Sequence, residues 1–70
     1  MTNELIAAVR AHANTNWEKG GWDFLAECWD DDDIVQAIGN AKTVRGAIAN
    51  CSRQVRILDL HRREMQGGWW

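Results

Sequence analysis

Apolar residues along this chain recur at intervals of three and four, the spacing of a single helix face, in successive stretches separated by glycine or polar breaks. Leu5, Ile6, Val9 and Ala13 predict a first helix, capped by Thr2 or Asn3 and ending near Asn14 to Asn16. Gly20 and Gly21 then interrupt the pattern. Trp22, Leu25, Ala26 and Trp29 predict a short second helix that turns both indoles toward a core. Ile34, Val35, Ala37 and Ile38 predict a third, opened by the acids Asp30 to Asp33 and closed by Gly39 in the left-handed position after its last turn. Thr43 is placed to cap the longest element, about residues 44 to 66, which Gly67 and Gly68 terminate.

The long helix carries three distinct faces. Val44, Ile48, Cys51, Val55, Leu58, Arg62 and Met65 alternate by four and three and are expected to form a core stripe. On the opposite side fall Gly46, Ala49, Ile57 and Leu60, with Arg53 among them. A small domain rarely covers both sides of one helix, so this second stripe points to a partner surface, most simply a parallel or antiparallel contact with a second copy of the helix. The alternative is cover from the first helix or the C-terminal tryptophans. A third strip is basic: Arg45, Arg56 and Arg63 project in nearly one direction over roughly 27 Å, at about 1.5 Å per residue. It suits phosphates or an acidic protein groove, or it is a solvated face that pairs with Asp30 to Asp33 and Glu27 in the same chain or in a second subunit. The fold class is therefore all-α, one domain over residues 1–70: a small bundle of about four helices with one long C-terminal helix, expected to dimerise.

Composition sharpens this picture. Seventy residues bury a smaller share of their surface than an average domain does, so the core must be dense or completed by a second subunit. Each of five tryptophans can bury roughly 150 to 250 Å², and the set is expected to be core. Cys28 and Cys51 lie inside apolar helical patterns, and no basic n-region with a following apolar h-region opens the chain, which predicts a reduced, cytoplasmic protein. No apolar run reaches the roughly 20 residues of a membrane span. Charge is divided: residues 1–35 hold eight acids and two bases, residues 36–70 six bases and two acids, so the halves stand at −6 and +4 within a total of −2. Such a split can hold the chain together or recruit a charged partner.

Candidate chemistry is sparse. Asp30, Asp31, Asp32 and Asp33 read first as a helix cap; as a metal site they would have to converge, and consecutive helical acids point about 100° apart. They also offer an acidic docking surface that resembles a phosphate backbone. His12, His61, Cys28 and Cys51 lack the close ligand pairs of a zinc site. Cys28 with a histidine could imitate a thiol nucleophile and base, but cysteines on helical core faces are more often buried. No catalytic residue and no cofactor are expected. Ile34 to Gly39 followed by Thr43, Val44, Arg45 and Ile48 has the parts of a helix-turn-helix, although the turn is one residue short and the acids stand where phosphates would approach. Trp69 and Trp70 after the di-glycine either complete the core or anchor in a partner pocket.

The stretch Trp17 to Ile34, with Gly-Gly-Trp-Asp, Glu-Cys-Trp and the acidic run, together with Thr43 to Ile48 and His61-Arg62-Arg63, resembles small helical proteins encoded by phages and prophages. The resemblance implies a compact accessory protein made during infection, and many such proteins bind and disable a host complex, including defence systems. The expected function is non-enzymatic binding of a host protein through Asp30 to Asp33, Arg45, Arg53, Arg56, Ile57, Leu60, Arg63, Trp69 and Trp70. DNA binding through the helix-turn-helix-like unit is the alternative. A nucleotide held between the basic helices of a dimer is a third.

Overall fold

Leu5, Ile6, Val9 and Ala13 are all buried, and they form one side of α1 (Thr2–Asn16) in the computed structural model, which describes residues 2–67. Thr2 and Asn3, expected as caps, lie inside the first turn instead. The chain continues through α2 (Trp22–Cys28), α3 (Asp31–Ile38) and α4 (Val44–Gly67), the longest element, which makes the protein a four-helix all-α globule. Gly68, Trp69 and Trp70 lie outside the described residues, and with them the question of whether the terminal indoles join the core.

The core draws on every helix. Trp22 and Leu25 of α2, Ile34 and Ile38 of α3, and Ala47, Cys51 and Val55 of α4 pack with the α1 face. Leu25, Ile34, Val9 and Val55 have no exposed surface, and burial of side chains of this size contributes about 1.5 to 3 kcal/mol each. The tryptophan expectation holds in part. Trp22 is buried in a T-shaped contact with His12, with ring centroids 4.8 Å apart. Trp29, at the C-cap of α2, is half-buried against the core, but Trp17 stands 50% exposed. Ala26, expected to face inward, is exposed, as is Cys28.

The turns follow from local chemistry. Thr15 and Asn16 side chains donate to the carbonyls of Ala11 and His12, competing with the helix ladder as α1 ends. Gly20 and Gly21 then take φ of +59° and +79°, a region that costs other residues about 1 to 2 kcal/mol. At the start of α3 the Asp30 carboxylate accepts from the Asp33 N–H while the Asp33 carboxylate accepts from the Asp30 N–H, a reciprocal capping box. Thr43 caps α4 as expected, its hydroxyl accepting from the Gly46 N–H at 3.1 Å. Asn50 ties α4 to the end of α3 by donating to the Ile38 carbonyl at 2.7 Å.

The buried row of α4 differs from the expected stripe. Ala47, Cys51, Val55 and Asp59 are buried, whereas Val44 is 45% exposed, Leu58 38% and Met65 52%, and Arg62 is also exposed. A row spaced by four slants across a helix surface, the pattern of ridges packed between crossing helices, whereas alternation by four and three suits helices that run alongside one another. The neighbours of α4 therefore cover its first half, and apolar cover ends at Val55.

Candidate docking surface on the long helix

Beyond Val55 the contacts that hold α4 become polar. Asp59 is the buried charged residue among those described, and Arg63 meets it through Nε at 3.2 Å, with Arg62 at 3.7 Å. Arg62 also lies 4.5 Å above the centre of the Phe24 ring and 3.5 Å from an Asp23 oxygen, so it fastens α4 to α2 by a cation–π contact and the Asp23 carboxylate. Gly21 leaves room for this arrangement: a Cβ there would stand 2.7 Å from the Asp59 Cβ.

On the outer side of the same segment Ile57 is 58% exposed and Leu60 53%, while Leu58 and Met65, on the side that continues the Ala47 and Cys51 face, are exposed as well. Neither α1 nor any other described element covers Ile57 and Leu60, so the intramolecular cover considered for the second stripe is not supplied by α1. Gly46 departs from the stripe, since a Cβ there would sit 3.2 Å from the Thr43 hydroxyl and 3.6 Å from Ala41. Arg45, Arg53, Arg56 and Arg63 are exposed around this surface. Within the chain, the pairing of the basic strip with Glu27 and the acidic run does not occur among the described residues: Arg63 pairs with Asp59, while Asp31 pairs with Arg10 at 2.8 Å.

The acidic run is thus divided by function within the fold. Asp30 and Asp33 cap α3, Asp31 binds Arg10, and Asp32 is exposed. The Asp33 backbone N–H holds the Asp30 carboxyl below its ordinary pKa. No group of three or more His, Cys, Asp or Glu side chains converges as a metal site among the described residues. Burial pushes the Cys51 thiol up to about 11, which leaves it protonated near neutrality, and Cys28 lies on the surface. An open depression of about 340 Å³ lies between α3 and α4, bounded by Trp29, Asp33, Gln36 and Gln54. No described helix is long and apolar enough to cross a membrane.

Arg53, Ile57 and Leu60 share one exposed face, as their spacing implies, Arg56 and Arg63 line its border, and Arg45 stands about 12 Å away toward the start of α4. Asp30 to Asp33 stand apart, at the α3 end tied to α1, and Trp69 and Trp70 lie outside the described residues. Sequence reasoning missed Asp59, Arg10 and the Arg62–Phe24 contact, none of which has a local signature. It also missed the exposure of Leu58 and Met65, which share the angular sector of Ala47 and Cys51 but lie beyond the end of the apolar cover. Comparison with protein-family models, curated proteins and solved structures gave no match.

Proposed function

We propose that this protein acts without catalysis, by docking the C-terminal half of α4 on another protein, and that it serves as a phage-type accessory protein that binds and inhibits a complex in the cytoplasm of a bacterial host, a defence system being the expected kind. The observation that carries the reading is the exposure of Ile57, Leu58, Leu60 and Met65 on one short segment bordered by arginines. Exposed apolar side chains gathered on one segment mark interaction surfaces more often than singly scattered ones do. The arginines select a partner with an acidic surface, since complementary charge speeds encounter and rejects wrong partners. The buried, protonated Cys51 and the structural use of Asp30, Asp31 and Asp33 favour binding over chemistry at these residues.

Affinity capture of the tagged chain from a bacterial lysate, with and without nuclease, tests the proposal. A stoichiometric protein is expected to survive nuclease and to be lost from an R56E/L60D variant of unchanged helix content. Recovery of nucleic acid alone, abolished by nuclease, would replace this reading with DNA binding through α3 and α4, for which the exposed Arg45 at the start of α4 is the supporting observation.

A further inference from the structure

We propose that Arg53, Ile57, Leu60 and Glu64 form the contact between two copies of this chain, with their α4 helices antiparallel and Ile57 of each copy against Leu60 of the other. This rests on the reading of the C-terminal half of α4 as a docking surface, and it commits the centre of that surface to one occupant. The four residues are spaced by four, three and four, the spacing by which paired helices interlock, and all four are exposed. At about 100° per residue their row lies on the side of α4 away from Cys51 and Val55, so the bodies of both copies stand outside the pair.

The order of these residues selects both partner and direction. Read backwards, Arg-Ile-Leu-Glu becomes Glu-Leu-Ile-Arg. An antiparallel pair with its two-fold axis between Leu58 and Asp59 therefore sets apolar on apolar in the middle and Arg53 on Glu64 at each end. A parallel pair in register would set Arg53 on Arg53 and Glu64 on Glu64, which is repulsive.

Nothing described within the chain competes for these charges. Neither Arg53 nor Glu64 takes part in an ion pair among the described residues, and Arg53 makes a single hydrogen bond, to Asn50 at 3.3 Å. Asn50 is the next position along the row, but its amide is committed to the Ile38 carbonyl, so the contact ends there and its register is set by four residues.

Two apolar and two charged side chains from each copy fall short of the about 800 Å² per partner of a standard interface, so the dimer is weak and depends on concentration. The two-fold axis stands perpendicular to both helices and keeps a lateral strip of one copy on the same side as its counterpart. Arg56 and Arg63, about a quarter-turn from the row, thereby join with those of the second copy into one basic surface.

Sedimentation equilibrium of the isolated full chain, from about 10 μM to about 1 mM, reads this directly. The 8.0 kDa chain is expected to shift toward twice that mass as concentration rises, and I57D/L60D to remain monomeric with helix content unchanged. R53E alone and E64R alone should each weaken association about tenfold, because two attractive pairs become repulsive. An equimolar mixture of the R53E and E64R chains should recover the wild-type association, since every reversed residue then faces its opposite. A wild-type chain that stays monomeric throughout, single reversals without effect, or a mixture that fails to recover overturns the proposal. A monomer that still captures its host partner overturns the self-pairing alone and leaves the docking surface standing.

Discussion

Gly21 and Asp59 meet so closely that a Cβ on the glycine would stand 2.7 Å from the aspartate Cβ and 3.2 Å from its Cγ. The backbone of the α1–α2 turn is thus pressed directly on the helix that carries the docking surface. Gly21 also has φ of +79°, so two constraints select glycine there, whereas Gly20 has φ of +59° and open space around it.

Gly21→Ala is therefore expected to cost about 2 to 4 kcal/mol, from strain together with overpacking. Gly20→Ala should cost about 1 to 2 kcal/mol, from backbone conformation alone. Urea unfolding of the two variants checks the difference, and equal losses would remove the role given to the close approach.

Asp59→Ala should lose about 1 to 3 kcal/mol, because Arg62 and Arg63 lose the carboxylate they share. It should not rescue Gly21→Ala, because the shortest contact is to the Asp59 Cβ, which alanine retains. A double-mutant cycle by chemical unfolding measures this, and recovery of stability in the double variant would show that the carboxyl, not the Cβ, is what crowds Gly21.

Asp30 gives the fold a pH dependence of known sign. The Asp33 N–H favours its ionised form and lowers its folded-state pKa, so the cap contributes above the unfolded-state pKa and is lost as pH falls through the folded-state value. Asp30→Ala should be destabilising at neutral pH, and its difference from wild type should shrink as pH falls through the lowered folded-state pKa and the carboxyl takes up its proton. Thermal unfolding across this range checks the prediction; a constant difference would mean that the charge plays no part in the cap.

The two thiols should separate by reactivity. Cys28 is exposed and should react with a maleimide in the native protein at neutral pH, while Cys51, buried and raised to about 11, should react only on unfolding. Mass spectrometry of a labelling time course should show one adduct in native buffer and two in denaturant.

The helix boundaries and the α1 face were legible because their signals are local: spacing by three and four, the Gly20–Gly21 break, and the Asp30 and Thr43 caps. The register of burial on α4 was not, because it depends on the angle at which neighbours cross the helix, and a stripe spaced by four overlaps one that alternates by four and three at Cys51 and Val55. Asp59 reads as an isolated acid in a basic half until the fold brings Gly21 against it. The exposed face of Ile57 and Leu60 was visible as an apolar row opposite the core, but the exposure of Leu58 and Met65 on the inner side was not, because it follows from the apolar cover ending at Val55.

That end of apolar cover has a dynamic consequence. From Ala47 to Val55 the amides of α4 are expected to exchange with solvent only when the core opens, whereas the last turns open once Arg62 leaves Phe24 and Asp23 and the Asp59 contacts separate. Amide-exchange protection is expected to step down just after Val55 and, in the second segment alone, to fall further with added salt; uniform protection along the helix would contradict it. Whatever docks on Ile57 and Leu60 grips the part of the protein that unfastens first, so binding would register as slowed exchange at the helix end well before it changed the stability of the core.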